Sequence, residues 1–403
     1  MLIKIAWRNI WRSRGRSLVV LGSIVVGIWA LVAAVGFMNG FIVGYMADSI
    51  NHDISNIQIH NPEFKKDKEV NYIITDAETK IDKIQTWPGV KAATSRVLVN
   101  GMIASPKKAA GVQIRGIKPK EEAKVTQLDS LIGDGAYFEG IKRNPILIGK
   151  KLAEKLGVKV KSKVVLTFTD SHQNLTSAAF RVAGIIESSS LNLNEGYAFV
   201  LHSDLTRLLG VQDAHEIAIL TDPQVDESII VTKYQSEYPG DLAETWREIA
   251  PELALIQEMY SSMLYVLITI VMIALVFGIL NTMLMAVLER FKELGMLMAV
   301  GMARIKVFGM VLLETIFIGI LGAPIGLLLG WLTMFYYTQV GIDLSAYSEG
   351  LESFGYSSIL YPYIENSTYW TIAIAVIITA FVGAVYPAWK AVKLKPVEAL
   401  HKI

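Results

Sequence analysis

The sequence predicts a membrane protein with four transmembrane α-helices and a large α+β extracytoplasmic domain between the first and second helices. Three observations lead to that fold class. The chain of 403 residues is 52% hydrophobic and only 19% charged, below the quarter that is usual in soluble domains. Four long segments are almost free of charge, whereas residues 48–257 carry 25 Lys and Arg and 28 Asp and Glu. Basic residues are also concentrated in the short flanks of the apolar segments.

The first apolar segment, 18–47, follows a basic N-terminus, 1–17. Residues 18–46 are 29 consecutive positions without Lys, Arg, Asp or Glu. As a helix they extend about 43 Å, more than the roughly 30 Å hydrocarbon core of a bilayer. A cleaved signal peptide has a shorter apolar core and a small-residue cleavage site, which this sequence lacks. We therefore predict a first transmembrane helix.

Three further segments, 258–288, 307–337 and 368–389, have the same character. Glu314 is the one charged residue of the second of these, and a carboxylate within a span needs a partner or water. A proton-relay role is conceivable, but helix packing or a cavity-facing position is favoured because the spans supply no second charge. Pro387 should end or kink the fourth helix.

Short-loop charges predict the orientation, because cytoplasmic loops carry the excess of Lys and Arg. The N-terminus, the 289–306 loop and the 390–403 tail are basic, whereas the 338–367 loop has four acids and no base. We expect a multi-pass inner-membrane protein with both termini cytoplasmic and the 48–257 domain in the periplasm.

Within 48–257, apolar patterns alternate between strand and helix periods. Strands are predicted at 56–60, 163–169, 180–186 and 216–220, and helices at 76–85, 149–156 and 203–209. Ser203 or Asp204 is the expected cap of the last helix. Residues 241–258 show helical spacing and run into the second span, so they should form a stalk with the first helix.

Several chemistries are excluded. The chain has no cysteine, so thiol catalysis and Cys-ligated metals are ruled out. No phosphate-binding loop is present, and the six histidines form no helical pair. A net charge of +1 gives no reason to expect nucleic acid. We predict no catalytic residue, no metal site and no cofactor in this chain.

Two patterns favour contacts with other helices. A charged, partly amphipathic segment between the second and third spans, 289–306, suits docking into a groove of a cytoplasmic partner; the alternative is a solvated turn. Two glycine ladders with a spacing of four allow close helix approach, within the chain or between subunits. They consist of Gly36, Gly40 and Gly44 in the first span and Gly322, Gly326 and Gly330 in the third.

These motifs resemble those of ABC-transporter permeases of the MacB/FtsX superfamily, most closely the LolC/LolE type of lipoprotein-releasing permease. The 289–306 loop is similar to the coupling-helix signature of that superfamily at Glu289, Arg290, Glu293, Gly295, Ala299 and Gly301. The tail is similar at Tyr386, Pro387, Ala388, Ala391, Pro396, Ala399 and Leu400. The 37–41 segment, Phe-Met-Asn-Gly-Phe, and the 148–158 segment resemble stretches of the lipoprotein-releasing branch.

The resemblance implies a permease without enzyme activity of its own. Two permeases, identical or paralogous, would flank two copies of a cytoplasmic ABC ATPase that binds ATP and Mg²⁺. Motion would pass from the coupling helix, at Glu289, Arg290, Glu293, Gly295 and Gly301, to the periplasmic domain. That domain would have a porter-like core, 48–117 and 216–257, and an inserted subdomain, 118–215.

In the lipoprotein branch, a membrane-anchored lipoprotein enters between the first and second helices and passes to a soluble periplasmic chaperone. Seven residues of this chain are candidates for an adaptable cavity wall and are equally suited to ordinary lipid contact or helix packing. They are Met38, Asn39, Phe41, Met46, Met259, Met263 and Leu264, with Asn39 included through the Met-Asn-Gly-Phe segment.

The sequence departs from that branch in two places. Residues 170–178 lack the proline-flanked hook that engages the chaperone, and residues 5–10 are closer to generic MacB-like permeases. Two other functions therefore remain open: MacB-like efflux of peptides or drugs from the periplasm, and FtsX-like signalling that activates cell-wall hydrolases.

Overall fold

The structure, a computed structural model, describes residues 2–12, 14–188, 190–347, 350–351, 356 and 358–393. Its contacts divide the chain into two compact units. The membrane unit comprises Met1–Ile42, Glu258–Ile342 and Leu360–Ile403. The inserted domain comprises Val43–Gln257 and Asp343–Ile359. The predicted tail motif at Pro396, Ala399 and Leu400 lies outside the described residues.

The described helices and strands follow in chain order. The α-helices are α1 (Leu2–Arg12), α2 (Arg14–Ser49), α3 (Pro62–Asp67), α4 (Ala77–Ile84), α5 (Pro119–Thr126), α6 (Lys150–Leu156), α7 (His202–Leu209), α8 (Glu227–Glu237), α9 (Trp246–Ile249), α10 (Pro251–Glu289), α11 (Phe291–Ala299), α12 (Arg304–Val340) and α13 (Asn366–Val392). The strands are β1 (Ile57–His60), β2 (Val90–Ala104), β3 (Ala109–Ile117), β4 (Ile132–Gly135), β5 (Pro145–Gly149), β6 (Lys163–Thr169), β7 (Leu175–Ile186), β8 (Tyr197–Leu201), β9 (Glu216–Thr221), β10 (Leu242–Thr245), β11 (Ile342–Asp343) and β12 (Ile359–Leu360).

Among the described residues, four helices have the length and apolar composition needed to cross a membrane: α2 with the π-helical turn that continues it, α10, α12 and α13. Their inward-facing side chains form one apolar cluster, to which α1 contributes Ile10 and α11 contributes Leu294. The large α/β domain lies between the first and second of these helices in the chain. The predicted fold class is therefore confirmed.

Proline does not end the last spanning helix. The sequence allowed Pro387 to end or kink it, but α13 runs through this residue to Val392. Pro324 likewise lies inside α12. Neighbouring helices and local adjustments accommodate the lost backbone hydrogen bond in membrane helices, so proline marks a helix end less reliably there than in a soluble domain.

One ten-stranded sheet organises the inserted domain. Its strand order is β10-β1-β9-β2-β3-β8-β5-β7-β4, and β6 pairs with both β2 and β7. Most pairs are antiparallel, but β3–β8 and β5–β7 are parallel. The 15-residue strand β2 contacts strands from both predicted subdomains, β9 from one and β6 from the other. A single sheet therefore joins the two regions that the sequence assigned to separate subdomains.

Most predicted elements of the inserted domain are present, and two details were wrong. The predicted strands correspond to β1, β6, β7 and β9, and the predicted helices to α4, α6 and α7. α7 starts at His202 after Leu201 and has no side-chain cap, so neither Ser203 nor Asp204 caps it. The 241–258 segment is not one helix, because β10 pairs with the edge of β1 and a Thr245–Glu248 capping box then starts α9.

Candidate coupling site

A short helix stands between the second and third spanning helices. α10 ends at Glu289, Arg290 leaves helical geometry, and α11 covers nine residues. Gly301 then adopts φ +101°, a conformation that side chains with a Cβ rarely take. This reversal ends α11 and lets α12 begin three residues later.

Arg290 connects three elements at this turn. Its Nη1 donates to both carboxylate oxygens of Glu314 on α12, at 3.0 and 3.2 Å. Its Nη2 donates to the backbone carbonyl of Asn9 on α1, at 3.2 Å. Glu314 is 6% exposed, and a buried carboxylate is costly unless it is paired. Its partner, Arg290, belongs to the 289–306 loop and not to a span. A second charge within the spans was therefore not the feature to look for.

The helix α1 also reaches α11 directly. Arg12 Nη2 lies 3.0 Å from Glu293 Oε1, in a pair that is largely exposed and therefore contributes little stability. Trp7 packs edge-on against Phe317 of α12, with ring centroids 6.0 Å apart. Together these contacts hold α1 against the turn. A cavity of about 450 Å³ lies among α1, α10, α11 and α12, with Arg12, Arg290, Glu293 and Glu314 in its wall.

The five predicted coupling residues do not share one face. Glu289, Glu293 and Gly301 are exposed, whereas Gly295 is buried and Arg290 is turned toward Glu314. Arg290 and Gly295 therefore face the interior of the membrane unit, whereas the other three residues face outward.

Apolar side chains beside the charged residues are exposed, which the partly amphipathic pattern of the 289–306 segment did not locate residue by residue. They are Met296, Leu297, Val300 and Ile305, with Val300 84% exposed. We call these four the α11 patch. In the sequence, their only sign is that apolar residues occur within a charged loop.

The glycine ladders lie at close helix contacts. A Cβ at Gly322, Gly326 or Gly330 would stand 2.8, 2.8 or 2.6 Å from side-chain atoms of Ile24, Ile28 or Val32 respectively. Gly36 faces Met334 and Ile364, and a Cβ at Gly40 would lie 2.7 Å from the carbonyl oxygen of Tyr361. Gly44 has no atom within 4 Å of a Cβ position. Five of the six glycines thus make contacts within this chain.

The seven predicted substrate-facing residues are dispersed. Asn39 Nδ2 donates to the carbonyl of Tyr363 at 2.8 Å, so its side chain holds the segment before α13. Phe41 packs edge-on against Phe37. Met46 is buried, Met259 and Met263 are exposed, and Met38 and Leu264 are half-buried.

An apolar cavity of about 230 Å³ lies elsewhere, between α2 and α10. Its wall includes Ile24 and Gly27 on one helix and Leu275, Gly278 and Ile279 on the other. The sequence signal that we overlooked is a glycine on each of the two facing helices: Gly27 admits the Leu275 side chain, and the absent side chain of Gly278 leaves open space.

The part of the chain that the structure describes contains no cluster of possible metal ligands. No three His, Asp or Glu side chains are placed there to hold an ion.

Four spanning helices, a large domain between the first two, and a short helix that presents charge and apolar surface between the second and third define the class. This is the architecture of an ABC-transporter permease. The model of the MacB-like periplasmic core domain matches residues 17–233, and that of the FtsX-like permease C-terminal domain matches residues 265–396. The chain belongs to the family of permeases that combines these two domains.

Named relatives agree with that assignment. LolC of the lipoprotein-releasing system of Neisseria meningitidis is 24% identical, over 96% of this chain and 94% of that protein. LolE of the corresponding system of Haemophilus influenzae is 20% identical, over 94% and 92%. The macrolide export ATP-binding/permease protein MacB of Hahella chejuensis is 21% identical, over 99% of this chain but 60% of that protein. Four apolar helices and this domain fit an inner-membrane protein.

Proposed function

We propose that this chain is the permease subunit of an ATP-driven complex that extracts lipoproteins from the inner membrane. The observation that carries the proposal is the similarity to LolC and LolE over more than nine-tenths of each protein. We further propose that a periplasmic chaperone receives the lipoprotein for delivery to the outer membrane. The complex would hold two permeases, identical or paralogous, and two copies of a cytoplasmic ATPase that binds ATP and Mg²⁺.

In this proposal, the cytoplasmic ATPase binds α11 and moves it during the ATP cycle. The α11 patch provides apolar area for a groove on the ATPase, and Glu289 and Glu293 add charge around it. Arg290 ties the turn to Glu314 on α12 and to the backbone of α1. A displacement of α11 therefore acts on both helices. The basic flanks support a cytoplasmic location for α11 and for both termini.

The lipid anchor of the substrate would occupy the apolar cavity between α2 and α10. An acyl chain needs a wall without polar groups, because an unpaired polar group against hydrocarbon is costly. Leu275 and Ile279 on α10 and Ile24 on α2 supply most of such a wall, and the one hydroxyl in it, that of Ser23, donates to the carbonyl of Val19 at 2.9 Å. In the chain, α2 directly precedes the inserted domain and α10 directly follows it. Binding of an acyl chain between these two helices would therefore act on the segments that enter and leave that domain.

Efflux of peptides or drugs is the second candidate. It is supported by the similarity to MacB over 99% of this chain. The chain spans 60% of the length of that protein, and the experiment below separates the two functions.

Depletion of the protein in its own cell, followed by separation of inner and outer membranes, tests the proposal. Lipoproteins labelled with radioactive palmitate should accumulate in the inner membrane and return to the outer membrane when the wild-type gene is restored. Unchanged lipoprotein sorting together with increased sensitivity to exported compounds would replace lipoprotein release with efflux. Unchanged sorting with defective cell-wall cleavage would favour the signalling function.

A further inference from the structure

The first spanning helix ends inside the inserted domain in an unusual way. α2 passes directly into a π-helical turn, Ile50–Ile54. Such turns are rare in proteins, and those that do occur are often at functional sites. Within it Asp53 is only 3% exposed. A buried acid at the end of a long helix requires partners, and other elements of the domain supply them.

Three elements hold Asp53. Its backbone carbonyl accepts from Arg96 Nη1 on β2 at 3.5 Å and from Arg115 Nη1 on β3 at 3.3 Å. Its carboxylate pairs with Arg115 at 3.2 Å and accepts from Asn192 Nδ2, just before β8, at 3.1 Å. Next to it, His52 Nδ1 lies 2.7 Å from the carbonyl oxygen of Thr126 on α5. The end of α2 is thereby attached to the middle of the sheet and to one of its covering helices.

Arg96 extends the attachment deeper into the domain. Its guanidinium donates to Glu122 on α5 at 2.7 and 3.1 Å and to Glu216 on β9 at 2.7 Å. Burial opposes the charge of Arg96, but the two carboxylates hold its pKa above the ordinary value. Burial likewise opposes ionisation of Glu216, yet Arg96 and His60 keep its pKa below the usual range. The network therefore consists of two cations and three anions, all buried.

The network has room to rearrange. A cavity of about 300 Å³ adjoins it, with Asp53, His60, Arg115, Tyr197 and Glu244 in its wall. The Arg115 guanidinium lies 3.5 Å from the centre of the Tyr197 ring. Two buried atoms in the wall, His60 Nδ1 and Glu244 Oε2, make no hydrogen bond to any described residue, and Asp53 Oδ1 is held by its ion pair with Arg115 alone. The open space beside these atoms gives their side chains room to move, which side chains in a close-packed core lack.

We propose that Asp53, Arg96 and Arg115 are positioning residues of the transport cycle, forming a joint that passes movement of α2 to the sheet of the inserted domain. This inference rests on the proposed ATP-driven function. Ion pairs buried at this depth are a poor way to gain stability compared with apolar packing. They do fix the π-helical turn to β2 and β3, the neighbouring strands at the centre of the sheet.

The choice of variant decides whether the test can be interpreted. Arg96→Met would leave Glu122 and Glu216 without their cation and would disrupt folding. The double variant D53N/R115M instead removes one negative and one positive charge and leaves the Arg96 pairs in place. The matched control is K80M/D241N. It removes the Lys80–Asp241 pair, which is similarly buried, joined at 2.6 Å and located on α4 and the turn before β10.

The absence of cysteine from the sequence permits specific labelling. Leu175→Cys and Ile229→Cys place spin labels on exposed positions of β7 and α8. Double electron–electron resonance on the permease–ATPase complex in nanodiscs, with and without ATP and vanadate, reports the shape of the inserted domain. ATPase rate and thermal melting are measured on the same samples.

We expect the parent and the control to change their distance distribution when nucleotide is trapped. D53N/R115M should lose at least half of that shift while it keeps its melting temperature and at least half of its ATPase rate. An undiminished shift in D53N/R115M, or an equal loss in K80M/D241N, overturns the joint alone. A parent that shows no shift also overturns the joint, because no movement then reaches the sheet, whereas the proposed function is decided separately by the lipoprotein sorting experiment. If D53N/R115M unfolds, D53N alone is measured, and unfolding of both variants makes the cluster purely structural and also overturns the joint.

Discussion

At the scale of single residues, the most consequential contact of the membrane unit is the pair of Arg290 and Glu314. The carboxylate is 6% exposed, and the guanidinium satisfies both of its oxygens. Removing one partner from a buried pair leaves the other charge uncompensated, which costs far more than removing both. The two residues thus behave as one unit.

We predict that R290M lowers the free energy of unfolding by about 3 kcal/mol, whereas R290M/E314Q lowers it by about 1 kcal/mol. The measurement is reversible unfolding of the purified permease in mixed micelles. A double variant as unstable as R290M would show that the loss does not come from an unpaired Glu314.

Another residue-scale feature is the neutral His215 of the inserted domain. Its Nδ1 accepts from the backbone N–H of Leu98 at 3.1 Å, and its Nε2 donates to the carbonyl of Val70 at 2.8 Å. Burial lowers the pKa of His215 to about 4. Burial also lowers the pKa of His202. Both side chains take up protons more readily when the chain is unfolded.

We therefore predict that stability falls as the pH is lowered from about 6.5 to about 4, because the unfolded state binds the extra proton in that window. The contribution of His215 is about 3 kcal/mol over the whole window. Melting of the full chain between pH 7.5 and pH 4 measures it. H215Q should flatten this dependence, while H172Q, at an exposed position, should leave it unchanged. An unaltered slope in H215Q would refute the assignment.

At the scale of elements, the contact between α2 and α12 depends on glycine. A Cβ at Gly326 would lie 2.8 Å from Ile28 Cβ and 3.0 Å from the carbonyl oxygen of Val25. At Gly309, on the same helix, a Cβ meets no atom within 4 Å. The two positions separate the effect of contact from the general preference of a helix for alanine.

G326A should lower the free energy of unfolding by about 1–3 kcal/mol, because the backbones must move apart. G309A should be neutral or should stabilise by up to about 1 kcal/mol. Unfolding in micelles compares the two variants directly. Equal values for both would mean that α2 and α12 adapt without cost.

The α11 patch is the element-scale feature that a partner would recognise. We predict that V300D reduces permease-dependent stimulation of the ATPase at least tenfold without unfolding the permease, because a carboxylate in an apolar groove loses its hydration. E289K and E293K should uncouple the ATPase in the same way. I229D, at an exposed apolar position of α8, is the control. Normal stimulation in all three α11-region variants would remove this helix from the ATPase contact.

At the scale of the whole molecule, the cavity between α2 and α10 is the place where the proposed substrate would bind. A Cβ at Gly278 meets no atom within 4 Å, and this residue is part of the cavity wall. Gly22 on α2 is equally open and exposed. Leucine can therefore be introduced at both positions, but only the first fills the cavity.

We predict that G278L retains folding and basal ATPase activity and reduces lipoprotein release from vesicles more than tenfold, because the side chain takes the space of the acyl chain. G22L should release lipoprotein at the parental rate. Full release by G278L would place the acyl chain elsewhere.

The sequence was sufficient for the four spanning helices, because uncharged runs such as 259–288 have few alternative structures. It also located four of the twelve described strands, because β1, β6, β7 and β9 carry the strand pattern in short windows. It could not find the pairing of Glu314 with Arg290, which depends on how α10 and α12 pack. The apolar spacing of 241–258 misled for the same reason, since pairing of β10 with β1 is a tertiary contact that local periodicity does not encode.

The pair of Arg290 and Glu314 also bears on biogenesis. Translation proceeds from the N-terminus, so Asn9 and Arg290 are made before Glu314. A lone carboxylate entering hydrocarbon is costly. Because its cation lies 24 residues earlier in the chain, the base precedes the acid to the bilayer. The order of synthesis thereby favours insertion of α12 as a neutralised hairpin with α10, and exchanging the two charges would reverse that order while leaving the final pair intact.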